Sequence, residues 1–406
     1  MGSWPLSTIG ELGTVFDGPH ATPKTVNEGP VFLGIGALQD GRINLGETRH
    51  VTLEDFEKWT KRVRPEPGDI VFSYETRLGQ AALIPEGLEC CLGRRMGLVR
   101  VNRDKINPRF FLYNYLSPGF QAFLRSRTVH GATVDRILLT EFPSFPFPCP
   151  DLGEQEAISA LLGALDDKIE LNRQTNETLE AMARAIFKDW FVDFGPTRAK
   201  IEGRSPYLAP ELWSRFPDAL DDDDKPVGWE EKRVDDILEL AYGKALKASD
   251  RVDGPFPVYG SGGITGYHDR PLVEGPSIIV GRKGTVGSLY WEDGSFFPID
   301  TVFYVKPKAP LTFCFYLLQT LGLDGMNTDA AVPGLNRNNA YRLPVAWPGD
   351  RIRIAFDEQV TLLRQKIRGN ADESRTLAQT RDLLLPKLMS GEISLRDAEK
   401  AVEAIA

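Results

Sequence analysis

The chain repeats itself, and this limits what it can fold into more than any other feature of its sequence. Near the start of each copy a Trp leads apolar residues at matched spacing: Trp4, Ile9, Leu12, Val15 and Gly18 recur as Trp229, Val234, Ile237, Leu240 and Gly243, 225 positions on. Midway, Asp69-Ile-Val-Phe-Ser-Tyr-Glu-Thr-Arg-Leu-Gly79 matches Ser277-Ile-Ile-Val-Gly-Arg-Lys-Gly-Thr-Val-Gly287 at an offset of 208, and later Val134, Pro146 and Pro150 match Val332, Pro344 and Pro348 at an offset of 198. The order is kept while the offset falls, so the second copy has shorter loops. A direct repeat of this kind calls for two similar folded units, and 406 residues leave room for about two or three domains.

Each copy has two parts. The first is rich in Gly, Pro and β-branched or aromatic runs, such as Ile70-Val-Phe, Ser277-Ile-Ile-Val and Thr301-Val-Phe-Tyr-Val, which read as short strands between turns. It leaves through a Pro-rich exit, Phe145-Pro-Phe-Pro-Cys-Pro150 or Leu343-Pro-Val-Ala-Trp-Pro348. A long helix follows. In the first, Ile158, Leu162, Leu165, Ile169, Asn172, Asn176, Leu179, Ala183 and Ile186 alternate in steps of four and three, the spacing of a coiled-coil seam. Adding 198 gives Phe356, Val360, Leu363, Ile367, Asn370, Ser374, Leu377, Arg381 and Leu384. Neither stripe is apolar enough to stand alone, so the economical arrangement is one helix on the other.

Asn172 and Asn370 are the midpoints of these stripes. An antiparallel pairing puts both in one polar layer that fixes register and faces apolar ends with apolar ends. The competing possibilities are a parallel pair, with residues 194–225 as the return, and two asparagines that simply touch solvent. The antiparallel arrangement generates a pseudo-two-fold axis with a globular domain at each end of helices of ~36 residues, ~55 Å long, more than the ~34 Å of one turn of B-DNA. The expected fold class is therefore α+β: two mixed α/β domains (1–150 and 227–349), a central helix (151–194), a linker (195–226), and a distal helix with its tail (350–406).

Composition narrows the chemistry. No run approaches the ~18 apolar residues of a membrane span, and the start MGSWPLSTIG lacks a secretion signal, which places the chain in the cytoplasm. Four cysteines, Cys90, Cys91, Cys149 and Cys314, offer no Cys-x-x-Cys cage and read as reduced, buried side chains; no metal site is expected. The loop that grips an amine in amino-methyltransferases is missing, and Gly281-Arg-Lys-Gly-Thr-Val-Gly287 has the wrong spacing for a phosphate-cradling loop. No catalytic residue is assigned. The net charge of −9 opposes a simple phosphate binder, so cations must be concentrated locally, as at Arg94-Arg95, Arg100, Arg103 and Arg282-Lys283, while acids collect elsewhere, as at Asp221 to Asp224.

Four strings carry a family likeness. Gly153-Glu-Gln-Glu-Ala-Ile158, Leu165-Asp-Asp-Lys-Ile-Glu-Leu-Asn-Arg-Gln174 and the run from Asn176 to Lys188-Asp-Trp-Phe-Val-Asp-Phe194 resemble the central conserved region of Type I restriction-modification specificity subunits. Arg381-Asp-Leu-Leu-Leu-Pro-Lys-Leu-Met-Ser-Gly-Glu-Ile393 resembles the close of their distal conserved region. The resemblance implies a non-catalytic DNA reader whose two target recognition domains each read one half of a bipartite, asymmetric site. It also implies that the helical spacer docks two methyltransferase subunits, which bind S-adenosylmethionine and methylate adenine N6. Restriction subunits using ATP and magnesium would join them, and this chain would hold no cofactor. The alternative is a stand-alone DNA-binding or adaptor protein. Leu161, Leu171, Met182 and Phe187, which lie off the stripe, favour an outer partner over it.

Candidate DNA contacts sit on two turns and a Gly-rich loop. Arg282 and Lys283 read as lying on a hairpin turn free of bulky neighbours, able to approach a phosphate or a guanine edge. The matching turn of the first copy offers Tyr74, Glu75 for cytosine N4, and Arg77 for guanine, with Arg94 and Arg95 nearby. Tyr259-Gly-Ser-Gly-Gly-Ile-Thr-Gly-Tyr-His268 offers Tyr259, Ser261 and His268, although the tyrosines equally suit a sheet core. Lys188-Asp-Trp-Phe-Val-Asp-Phe194 reads either as a docking patch or as an apolar cap on its own domain. Ile201-Glu-Gly-Arg204 and Asp221-Asp-Asp-Asp-Lys225 match protease sites but read as native linker, exposed and cleavable.

Overall fold

A computed structural model describes residues 4–20, 22–39, 41–130, 134–327 and 334–404. The repeat landmark Val332 lies outside the described residues. The chain forms two compact units, Met1–Asn172 with Asp372–Ala406, and Arg173–Ala371. Each is built on the same plan.

In the first unit, strands β1 (Gly13–Asp17), β2 (Ile70–Ser73), β3 (Ala81–Leu83) and β4 (Met96–Val101) form an antiparallel sheet in the order β1-β4-β2-β3. In the second, β5 (Leu238–Tyr242), β6 (Ser277–Gly281), β7 (Leu289–Glu292) and β8 (Val302–Pro307) repeat that order as β5-β8-β6-β7. A second small sheet contains one parallel pair in each unit, Val31 beside Cys90 and Val258 beside Phe297. The Pro-rich exits close the copies by pairing with the entering strands: Leu6–Thr8 with Pro146–Pro148, and Glu230–Arg233 with Pro344–Trp347. These ladders have only two strands, so proline costs no central hydrogen bond. Even a helix start is repeated. Thr8 N donates to Glu11 Oε2 and Arg233 N to Asp236 Oδ2, both at 2.9 Å, filling the position where an acid satisfies a first-turn donor.

The long helices are α1 (Leu152–Phe191) and α2 (Asp350–Met389), 40 residues each. Every position of both predicted stripes is buried or half-buried. In the first unit Asp166 meets Arg381 and Asn172 meets Ser374; in the second Asn176 meets Asn370 and Glu180 meets Arg364. One index rises while the other falls, so the helices pack antiparallel and the parallel alternative is gone. Asn172 and Asn370 are both buried. Asn172 Nδ2 donates to Ser374 Oγ at 3.2 Å and to Glu373 at 2.7 Å, and Asn370 Nδ2 donates to Asn176 Oδ1 at 2.8 Å. The polar interruption is thus hydrogen-bonded within each unit, and the reading of two asparagines facing solvent fails.

Both units tie a shorter helix to the long pair in the same way. The helix Pro108–Leu116 offers Tyr113, whose hydroxyl donates to Asp166 at 2.7 Å, and Leu311–Thr320 offers Tyr316, whose hydroxyl donates to Glu180 at 3.1 Å. Arg381 sits in a seam of apolar residues because Asp166 faces it. The second unit places its charges the same way, with Arg364 on α2 and Glu180 on α1.

Two readings change. The stretch 195–226 is folded, not an exposed connector: it carries helices Gly195–Ile201 and Pro210–Trp213, and buries Leu212 and Phe216 in the core of the second unit. Lys200 lies over the Trp213 ring and donates to the Phe216 carbonyl. Asp221 to Lys225 is a closed turn, with Asp221 N donating to the Lys225 carbonyl at 2.7 Å and Asp221 Oδ1 accepting from Lys225 N at 3.0 Å. Ile201 to Arg204 is exposed as expected, and so are Asp222 to Asp224 within the turn. The end of α1 is an apolar cap, but on the core of the second unit and not on the domain that precedes it: Trp190 and Phe191 are buried against Phe216, Trp229, Phe313 and Phe356. Phe187 joins the same core and Leu161 packs on that of the first unit, so neither belongs to an outer face.

Candidate nucleic-acid interface

The second unit gathers its candidates at one corner of the sheet. β6 and β7 are joined by the turn that holds Arg282 and Lys283, whose backbone N–H groups both donate to the Thr301 carbonyl, at 2.9 and 3.0 Å. Beside it is the tip of the hairpin formed by Phe256–Gly260 and Gly263–His268, tethered where Ser288 Oγ and the Tyr290 hydroxyl donate to the Ser261 carbonyl at 2.6 and 3.2 Å. Gly284 turns the chain at φ +84°, and a Cβ there would stand 3.2 Å from Ser261 Oγ. Ser261, Arg282 and Lys283 are therefore neighbours.

Tyr259 is buried and His268 half-buried. The Tyr259 hydroxyl donates to Glu292 at 2.8 Å, and burial and then that carboxylate push its pKa up. His268 Nδ1 accepts from Val252 N at 3.1 Å, and the ring stands edge-on to Phe297. Tyr267 is the exposed aromatic of the hairpin.

Arg282 is held in place. Its Nη1 donates to the Asp300 carbonyl at 2.8 Å and its guanidinium lies 4.9 Å from the centroid of Tyr242, the last residue of β5. Arg337 reaches the same ring at 4.7 Å and donates Nη1 to the Leu240 carbonyl at 3.3 Å. Sequence reasoning missed both Tyr242 and Arg337. Tyr242 stands directly before Gly243, a landmark of the repeat, and an aromatic beside a close backbone approach was the available signal.

The first unit arranges the equivalent corner differently. Tyr74 is buried, its hydroxyl donating to Asp17 at 3.0 Å; burial and then Asp17 raise its pKa. Glu75 takes Arg95 at 3.0 Å, and Arg95 also donates to Thr76 Oγ1 at 3.1 Å. Arg77 Nη1 is spent on the carbonyls of Ile35 and Gly36. Arg94 is exposed. Further cations come from an element that the second copy lacks among the described residues, the helix Leu53–Trp59. Lys58, Trp59, Lys61 and Arg62 join Asp17 around a cavity of about 290 Å³. Each unit thus places cations at this corner, by different means.

Other chemistry is sparse. Among the described residues no group of three or more His, Cys, Asp or Glu could hold a metal ion, and no helix is long and apolar enough to cross a membrane. All four cysteines are free; burial pushes Cys90, Cys91 and Cys314 up to about 12. Leu171, Met182, Leu362 and Leu383 are exposed apolar residues on the long helices.

Comparison with known proteins fits these features. The chain is similar to the specificity subunit of the Type I restriction enzyme HindI of Haemophilus influenzae, 25% identical over 80% of this chain and 86% of the relative. It is 23% identical to the specificity subunit of the MjaIX enzyme of Methanocaldococcus jannaschii, over 87% and 84%. Among solved structures, the S subunit of a Type-I restriction-modification system from M. genitalium shares the fold, with a TM-score of 0.54 and 19% identity over 95% of this chain and 96% of that one. The family model described as the Type I restriction modification DNA specificity domain matches residues 1–181 and again 226–331, one match for each copy of the repeat, and the chain belongs to that family.

Proposed function

We propose that each unit reads one half of a bipartite, asymmetric duplex DNA site, and that the chain performs no chemistry of its own. The observation that carries this reading is one sheet plan repeated twice with different side chains at the same corner: Asp17, Tyr74 and Glu75 in one copy, Tyr242, Arg282 and Lys283 in the other. A scaffold that is kept while its presented donors and acceptors change is what two different half-sites require.

The paired helices would dock methyltransferase subunits. Leu171, Met182, Leu362 and Leu383, exposed on helices whose inner stripe is already occupied, support that role. S-adenosylmethionine would then be bound by those partners, and ATP and magnesium by restriction subunits. The alternative of a stand-alone adaptor draws no support from the relatives, which are named as subunits of restriction enzymes. The test is to replace residues 1–150 by the corresponding domain of another member and map N6-methyladenine in cells carrying the wild-type or chimeric gene. One half of the methylated motif should change while the other stays. A change in both halves refutes modular reading, and an unchanged motif refutes the assignment of the first unit as a reader.

A further inference from the structure

The equivalence of the two corners is structural. Asp17 pairs with Gly97 as Tyr242 pairs with Phe303, at the same end of the same sheet edge. Tyr74 N donates to the Arg95 carbonyl as Arg282 N donates to that of Thr301. The isolated bridges that follow also correspond, Glu75 with Arg136 and Lys283 with Gly334. At these shared positions the first unit has an acceptor, Asp17, already bonded to the phenol of Tyr74, while the second has an aromatic, Tyr242, with two guanidiniums against it.

Two features set Arg282 and Arg337 apart from most arginines of the chain. Neither forms an ion pair with a carboxylate among the described residues, whereas Arg42, Arg95, Arg100, Arg109, Arg364 and Arg381 all do. Each is also anchored, over the Tyr242 ring and by Nη1 on a backbone carbonyl, and Tyr242 itself is 49% exposed. A phosphate asks only for positive charge, which the neighbouring Lys283 can supply. A guanidinium with a fixed plane presents a rigid fork, and the acceptor pair that fits such a fork in duplex DNA is guanine O6 with N7.

We propose that the Arg282–Tyr242–Arg337 stack reads guanine in the half-site met by the second unit. This rests on the chain being a sequence-specific duplex reader. The test uses the full-length chain and a pool of duplex DNA with a randomised centre, enriched by binding and sequenced. Each guanine of the enriched motif is then replaced in turn by 7-deazaguanine, which lacks only the N7 acceptor. The wild-type chain should lose roughly tenfold or more at one position, while R282Q or R337Q, already weakened on the native duplex, should lose less than about twofold there on replacement. R282K and R337K keep the charge without the fork and should behave like the Gln variants, which also covers a Gln variant that fails to fold. Additive losses overturn the proposal, as does recovery of full affinity by the Lys variants, which would mark phosphate contacts. A motif with no guanine overturns it while leaving the reading of function intact; no enriched motif at all overturns both.

Discussion

Asp166 is the acceptor on which the helix pairing of the first unit turns. It takes Arg381 Nη1 at 2.7 Å and the Tyr113 hydroxyl at 2.7 Å, while its carbonyl takes Arg42 Nη2 at 2.7 Å. Replacing Asp166 by Ala leaves a buried phenol without its acceptor and leaves the Arg381 guanidinium only the exposed Asp382, on Nε and Nη2. Removing one partner of a buried pair costs about 3–5 kcal/mol, and partial solvent access reduces this to about 2–3 kcal/mol here. The side chains of Asp166 and Arg381 are 22% and 19% exposed. With an m-value of about 2–3 kcal/mol/M in urea, the midpoint should fall by about 1 M. The assay is urea unfolding of wild type, D166A, R381L and the double variant. Because the double variant strands no charge, its loss should be at least about 1 kcal/mol smaller than the sum of the single losses. The reasoning fails if the single losses add, or if D166A costs less than about 0.5 kcal/mol. Any loss should fall on residues of the first unit, read by hydrogen exchange.

Three further outcomes are expected. In the native chain a thiol reagent at pH 8 should label Cys149 alone, since the other three thiols are buried and pushed up to about 12; labelling of Cys90, Cys91 or Cys314 before unfolding would contradict the packing. Because these folded values are raised, their contribution to stability is complete below the unfolded thiol range of about 8.5 and is lost as pH rises from there toward 12; a urea midpoint that does not fall over that window would count against it. Limited digestion should cut after Arg204, which is exposed, and spare Lys225, whose carbonyl and N–H are both tied to Asp221; equal cutting by proteases specific for the two strings would refute the closed turn.

The repeat and both helices were legible because they rest on spacing, which survives any detail of packing: nine stripe positions in α1 predicted nine in α2, with the polar layer in place. The roles of single polar residues were not. Whether Tyr74 or Tyr259 faces DNA or the core depends on a carboxylate 57 or 33 positions away, Asp17 or Glu292, and nothing local in the sequence names it. Arg77 read as a donor for guanine because its two carbonyl acceptors lie some forty residues upstream. The stretch 195–226 read as linker because its helices are short, proline-started and flanked by an acidic run, while its burial is carried by only a few side chains such as Leu212 and Phe216.

The first unit is assembled from both extremes of the chain: residues 1–172 are completed by 372–406, and Leu384, Leu388 and Ala398 share a core with Ile158, Leu162 and Leu165. The second unit is one continuous stretch. During synthesis the order of completion is therefore inverted relative to the order of emergence. The domain that leaves the ribosome first must hold an uncovered apolar seam while roughly two hundred more residues are made, about 10–40 s at ordinary elongation rates. Its sibling, started later, closes first. Slow translation or a premature stop beyond residue 371 would leave the second unit whole and the first with its greasy flank bare, an interval in which a holding chaperone has more to do for the head of this protein than for its tail.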